Sequence, residues 1–171
     1  MKKLISLLLI LIYVLTGNII YSQDKPCSSI EASQFDFWLG EWKLEWQNEK
    51  GISETGTNTI SKTMGGCVIE ENFSTDDNSF IGRSISVYNP NKQYWQQTWV
   101  DNSGAYMDFT GVYNDRKMIL SRRIINKLGR EVIQRMVFYD IQQNEFWWNW
   151  ESSSDEGKSW NLMWKIHYLR K

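Results

Sequence analysis

Apolar and polar residues alternate along most of this chain, beginning at residue 42. The segment 42–47 reads Trp-Lys-Leu-Glu-Trp-Gln, and a period of two is typical of a strand with one buried face. Further segments with the same period follow it along the chain. The pattern predicts strands at 42–48, 55–63, 66–74, 80–89, 93–101, 105–114, 117–125, 131–140, 144–152 and 158–169.

The links between the predicted strands are short and rich in turn-forming residues, such as Lys50-Gly51, Asn89-Pro90-Asn91 and Asp155-Glu156-Gly157. Short links favour antiparallel neighbours joined as hairpins. About ten such strands predict an all-β fold, an up-and-down antiparallel barrel that closes on itself and so leaves no exposed edge strand. A sandwich of two sheets is the alternative.

A compact apolar turn precedes the first strand. Phe35, Phe37 and Trp38 lie close together in the sequence, and Gly40 follows them two residues before Trp42. We expect the aromatic residues to form a short N-terminal helical plug that closes one end of the barrel. Gly40 would let the chain turn into the first strand, because glycine tolerates backbone angles that other residues avoid.

The first 22 residues have the pattern of an export signal. Lys2 and Lys3 precede an apolar run over 4–15, and no acidic residue occurs before Asp24. This order, with the small residue Ser22 at its end, predicts a signal peptide at 1–22 and a single exported domain at 23–171. A retained membrane anchor is the alternative. After cleavage we expect no insertion into a membrane, and the location would be the periplasm or the medium.

The charge of the mature chain argues against two classes of partner. Removing Lys2 and Lys3 from 19 basic residues leaves 17 against 20 acidic ones, a net charge of −3. The sequence has no basic run or basic strand face. Nucleic acids and anionic membrane surfaces are therefore not expected as partners.

Two cysteines, Cys27 and Cys67, lie in the part of the chain that would be exported. An even number of cysteines in an oxidising compartment favours a disulfide. The bond would connect the N-terminal segment to the third strand. Two buried free thiols are the alternative.

Several motifs resemble one known family. The segments FDFWLGEW at 35–42, GCVIEENF at 66–73 and WQQTWVD at 95–101 are similar, in the same order, to an uncharacterised family of exported bacterial calycin-like (lipocalin-like) β-barrel proteins. The resemblance extends over nearly all of the mature chain. It implies a lipocalin-like barrel, but no established activity comes with it.

Motifs of the common catalytic and metal sites are missing from the sequence. His167 is the single histidine, whereas zinc sites need three or four ligands. The chain has no Gly-x-Ser-x-Gly, P-loop or Rossmann glycine pattern. We therefore expect no metal site and no cofactor. One alternative is a nitrobindin-like heme barrel with His167 as iron ligand, although alternation places His167 opposite Trp164 and Ile166 and so towards solvent.

The candidate ligand-binding site consists of tryptophans and of a few polar residues that lie on otherwise apolar strand faces. The chain has ten tryptophans, and they would either fill the barrel core or line a pocket for an apolar or planar ligand. Polar residues on the same faces would either orient a ligand or form an internal ion pair of the Glu71–Arg122 type. The candidate ligand-binding residues are Trp42, Glu71, Gln97, Trp99, Arg122, Trp148 and Trp150.

The leading functional prediction is a non-enzymatic protein that binds a small apolar or amphipathic ligand. A barrel enzyme, a hydrolase or isomerase with Glu71 or Asp101 as general base, is the first alternative. A third possibility is an interaction protein of the cell envelope that docks through Trp147, which is out of phase with its neighbours and should face outward. The sequence does not indicate the oligomeric state.

Overall fold

The computed structural model of this protein describes residues 25–171. The predicted signal peptide at 1–22 lies outside these residues. Within the described part of the chain, no helix is both long and apolar enough to cross a membrane.

Ten antiparallel strands follow one another along the chain, and each pairs with the next. The last strand pairs with the first and closes the barrel, so the prediction of an up-and-down barrel is confirmed and the two-sheet sandwich is excluded. The closing pairs run from Trp42 with Arg170 to Glu45 with His167. The strands are β1 (Gly40–Gln47), β2 (Ser53–Thr63), β3 (Val68–Thr75), β4 (Ile81–Asn89), β5 (Tyr94–Asp101), β6 (Tyr106–Asn114), β7 (Lys117–Ile125), β8 (Glu131–Tyr139), β9 (Glu145–Ser153) and β10 (Asn161–Arg170).

All ten predicted strands are observed, and their ends agree to within two residues except at one position. The largest difference is the start of β10, predicted at residue 158 and observed at Asn161. Residues before Asn161 belong to a turn in which the Asp155 carboxylate accepts hydrogen bonds from the backbone N–H and the hydroxyl of Ser159. A side chain that bonds local backbone groups in this way competes with strand pairing.

The predicted N-terminal plug consists of two short 3-10 turns, Glu31–Ser33 and Asp36–Trp38. Phe35, between the two turns, is fully buried, and its ring centroid lies 5.0 Å from that of Trp95 and 5.3 Å from that of Phe138. Trp38 is also buried. The plug therefore closes the end of the barrel at which β1 begins.

Arg170, near the C-terminus, holds the plug to the barrel. Its guanidinium donates hydrogen bonds to the carbonyl oxygens of Leu39 at 2.8 Å and Phe37 at 3.3 Å, and lies 4.2 Å from the centre of the Trp42 ring. Gly40 has a φ of +117°, and a Cβ atom there would lie 2.6 Å from an Arg170 nitrogen. Glycine is needed here both for its backbone angle and for the space that Arg170 occupies.

A disulfide joins Cys27 to Cys67, as predicted. Cys67 follows a third 3-10 turn, Met64–Gly66, which leads into β3. The bond connects the segment before the plug to the start of β3 across a sequence separation of 40 residues.

Candidate ligand-binding cavity

The barrel interior contains a cavity of about 290 Å³. It extends from Trp38 in the plug to side chains at the opposite end of the barrel, such as Trp99 at the end of β5 and Arg122 near the end of β7. Its volume is near the lower limit of the roughly 300–1,000 Å³ of small-molecule sites. The remaining lining residues are Glu71, Phe73, Phe80, Asp101, Met107, Phe109, Gln134, Met136, Phe138, Trp148, Trp150, Trp164, Ile166 and Tyr168.

One wall of the cavity is aromatic. Trp148 and Trp150 project from β9, and they face the same side because they are two residues apart on a strand. The Trp150 ring packs edge-on against Phe109 of β6, with centroids 5.7 Å apart, and Trp148 packs edge-on against Trp164 of β10 at 5.8 Å. These rings hold one another in place and offer an apolar surface to a ligand.

The opposite wall carries a buried polar network on β2 to β5. The Asn58 amide donates to one carboxyl oxygen of Glu71 at 2.7 Å, and the Ser84 hydroxyl donates to the other at 2.5 Å. The Gln97 amide donates to Ser84 at 3.2 Å, and the Asn58 amide also donates to the Tyr168 hydroxyl at 3.2 Å. Each of these side chains is buried. The network satisfies both carboxyl oxygens of Glu71, whereas Asn58 Oδ1 and Gln97 Oε1 have no hydrogen-bond partner among residues 25–171.

Glu71 has an unusual ionisation equilibrium because of its position in this network. Burial raises its pKa from 4.5 to about 7, and the hydrogen bonds from Ser84 and Asn58 offset part of that effect. Burial, together with the nearby charge of Glu71, also raises the pKa of the Tyr168 hydroxyl well above its usual range. Glu71 is therefore a carboxyl group that is largely neutral below about pH 7.

Arg122 is the one basic residue among those that line the cavity. Its Nε–H donates to the side-chain oxygen of Gln134 on β8 at 2.8 Å, and its guanidinium carbon lies 5.4 Å from the centre of the Phe109 ring. The predicted alternative of an internal Glu71–Arg122 ion pair is wrong: among residues 25–171 no carboxylate forms an ion pair with Arg122.

Asp101 contributes to the cavity wall through Trp99. One of its carboxylate oxygens accepts a hydrogen bond from the indole N–H of Trp99 at 2.9 Å, and the other accepts from the backbone N–H groups of Ser103 at 2.9 Å and Ala105 at 3.3 Å. Burial raises the pKa of Asp101, but the hydrogen bond from the Ser103 hydroxyl, together with those from Trp99 and the two backbone N–H groups, outweighs it and lowers the pKa below its ordinary value. Asp101 is thus an ionised turn residue that fixes the Trp99 ring.

Of the predicted ligand-binding residues, Glu71, Trp99, Arg122, Trp148 and Trp150 line the cavity. The structure brings them together from four strands, β3, β5, β7 and β9. The inward direction of each of these side chains follows from strand alternation.

Trp42 and Gln97 do not line the cavity, which corrects the expectation for both. Trp42 is fully buried at the plugged end, where its indole N–H donates to the Trp38 carbonyl at 2.7 Å and its ring packs against Phe146. Gln97 is buried, and its amide donates hydrogen bonds to the hydroxyls of Ser84 at 3.2 Å and Ser86 at 2.9 Å. Alternation predicted the correct face for both residues but not their depth along the barrel.

Sequence reasoning missed several residues of the site, above all Asn58, Trp38 and Tyr168. Asn58 lies two residues before Ile60 on β2, and this period was the signal that could have placed it inside. Trp38 was expected in the plug, but the sequence does not show that the plug forms the floor of the cavity.

His167 and Trp147 lie on the outer surface of the barrel, as alternation predicted. The His167 ring stacks on Trp147 with centroids 4.2 Å apart and is hydrogen-bonded to Glu145 at 3.0 Å. It is therefore not available to a heme inside the cavity. Lys165 lies 4.1 Å from the centre of the Trp147 ring, and Trp147 is half-buried rather than an open docking surface. In the described part of the chain no cluster of three or more His, Cys, Asp or Glu side chains could hold a metal ion.

No model of a known protein family matches this sequence, and no curated protein matches it. The fold and the cavity therefore define the class of protein: a ten-stranded, closed, up-and-down β-barrel with an aromatic cavity and a buried polar network.

Proposed function

We propose that this protein binds a small apolar or amphipathic molecule inside the barrel and does not transform it. The observation that carries the proposal is the cavity of about 290 Å³, whose wall is mainly aromatic and whose charged or amide side chains are few: Glu71, Asp101, Arg122 and Gln134. Apolar walls with a small number of placed polar groups are typical of ligand sites.

The energetics favour an apolar ligand body. A ligand that covers the Trp148, Trp150 and Phe109 rings removes apolar surface from water, which contributes roughly 25 cal/mol per Å². The rings are already held by edge-to-face contacts, so little side-chain entropy would be lost on binding.

We further propose that the mature domain is exported. The Cys27–Cys67 disulfide supports this proposal, because structural disulfides persist mainly in oxidising compartments. The predicted signal peptide agrees with it. Membership of the exported calycin-like family remains a prediction from the motifs.

The proposal can be tested by filling the cavity. Met107 lies on the cavity wall, and the variant M107W would place an indole in the space. We expect 2-naphthol, a small neutral probe, to bind the wild type in isothermal titration calorimetry and to lose at least about tenfold in affinity with M107W.

The matched control is V112W on the same strand, because Val112 is exposed on the outer face and 48% accessible. V112W should bind the probe as the wild type does. If the wild type binds no aromatic probe, neutral or acidic, or if M107W binds as well as V112W, the proposed function is wrong.

An enzyme that uses Glu71 as general acid or base is the second candidate, and one observation favours it. A pKa of about 7 in a cavity-lining carboxyl is suited to proton transfer near neutral pH. Asp101, the other carboxylate predicted for this role, is occupied by hydrogen bonds within its turn. Turnover of a bound compound that is lost in E71Q, while binding is retained, would select the enzyme.

A further inference from the structure

The guanidinium of Arg122 has unused hydrogen-bonding capacity inside the cavity. An arginine carries five N–H donors, and only the Nε–H of Arg122 has an acceptor among residues 25–171, the side-chain oxygen of Gln134. The end of the guanidinium, with its two Nη atoms, has no protein acceptor there. A pair of N–H groups at this end matches the two oxygens of a carboxylate.

Desolvation of the Arg122 guanidinium costs free energy that no ion pair with a carboxylate of residues 25–171 offsets. Arg122 is partly buried, and its burial lowers the pKa of the guanidinium, while the charge of Asp108 offsets part of this effect without forming an ion pair. Gln134 is neutral and fixes the orientation of the group without compensating its charge. Desolvation opposes the burial of a charge that has no partner, so a ligand anion at this position would offset that cost.

The two carboxyl groups that line the cavity do not compensate Arg122 either. Glu71 is hydrogen-bonded to Asn58 and Ser84, and Asp101 to Trp99 and its own turn. Neither forms an ion pair with the guanidinium. The cavity thus contains one positive charge, Arg122, whose two Nη atoms can donate a pair of hydrogen bonds to a ligand next to the aromatic wall.

We propose that the ligand is a small aromatic or similarly compact monocarboxylate. Its acid group would bind the Nη atoms of Arg122, and its apolar body would lie against Trp148 and Trp150. A single positive charge matches a single negative one, which favours a carboxylate over a phosphate. The cavity of about 290 Å³ equals roughly ten water volumes at about 30 Å³ each, so the ligand is compact. This inference rests on the proposed binding function.

The test compares an acid with its neutral isostere. 2-Naphthoate and 2-naphthamide have nearly the same shape, and only the former carries a charge at about pH 6. In calorimetric titrations of the wild type we expect the acid to bind at least about tenfold more tightly, since hydrogen bonds to charged groups are the strong ones. This comparison needs no variant.

R122Q should remove the preference: the acid loses at least about tenfold in affinity and the amide changes by less than about threefold. R123Q is the matched control, because it makes the same change on the neighbouring residue, which is exposed on the outer face and paired with Glu131. We expect R123Q to retain the preference for the acid. Thermal melting of both variants checks that the barrel is intact.

The outcomes separate this inference from the proposed function. Equal affinity for acid and amide in the wild type, or a preference for the acid that persists in R122Q, would overturn the inference and leave a neutral-ligand binding protein. Absence of binding for both probes and for 2-naphthol would overturn the inference and the proposed function together.

Discussion

At the level of single residues, Glu71 shows how strongly the barrel interior changes side-chain chemistry. Its carboxyl group is buried and receives hydrogen bonds from Asn58 and Ser84, and burial raises its pKa from 4.5 to about 7. In the unfolded chain the group would titrate near its ordinary value. Folding is therefore linked to proton uptake between the two pKa values.

We predict that this linkage makes the protein less stable as the pH rises from about 4.5 to about 7. In that interval the folded state holds the Glu71 proton and the unfolded state has lost it, so the free energy of unfolding falls with pH and levels off above about 7. The full effect of a shift of this size is about 3 kcal/mol. Urea denaturation at a series of pH values measures it.

The variant E71Q replaces the carboxyl by a neutral amide of similar shape, so it should lack this part of the pH dependence and should be more stable than the wild type at about pH 8. E70Q is the matched control, because Glu70 is the neighbouring residue on β3 and bonds Thr63 on the outer surface. If the free energy of unfolding changes with pH in the same way in the wild type and in E71Q, the pH dependence does not come from Glu71.

Individual side chains also show what alternation can and cannot predict. Alternation placed Glu71 and Arg122 inside the barrel, because successive side chains on a strand point to opposite faces. It did not distinguish Trp42, at the plugged end, from Trp99, on the cavity wall. Depth along the barrel depends on register with neighbouring strands, which one segment of sequence does not contain.

At the level of elements, the plug and β3 are joined by the Cys27–Cys67 disulfide. The segment that contains Cys27 has few buried residues of its own; Ala32 and Phe35 are the first buried positions along the described chain. The disulfide is therefore the main covalent restraint on the N-terminal segment before the plug.

We predict that the double variant C27S/C67S is less stable than the wild type by about 4 kcal/mol. The estimate follows from the entropy that a bond across a 40-residue separation removes from the unfolded chain. Urea denaturation of the double variant and of reduced wild type measures the loss. The two should agree, since both lack the bond, and a loss below about 1 kcal/mol in both would show that the bond adds little.

At the level of the whole molecule, the predicted signal peptide and the Cys27–Cys67 disulfide lead to a prediction about export. We predict that the protein, expressed with its own N-terminus in a bacterium with a periplasm, is cleaved after Ser22 and released as residues 23–171. Intact mass measurement should find the mature chain about 2 Da lighter than its reduced form, because disulfide formation removes two hydrogens.

A full-length chain in the membrane fraction would contradict this prediction and support the retained-anchor alternative. A variant with Lys2 and Lys3 replaced by Glu is a useful control, because export signals need a positive N-terminal region. It should accumulate uncleaved.

The sequence by itself determined the ten-stranded antiparallel fold, the plug and the disulfide pair. Strand period and turn residues are local properties, and short links between successive strands favour antiparallel neighbours. The pairing of β1 with β10, which closes the barrel and excludes the sandwich, is a long-range contact that the tertiary structure decided. Only the tertiary structure decided that the barrel contains a cavity and that Asn58 and Ser84 bind Glu71. It also decided that Arg122 meets Gln134 rather than Glu71. These contacts depend on how residues far apart in the chain pack together, and no local pattern encodes that packing.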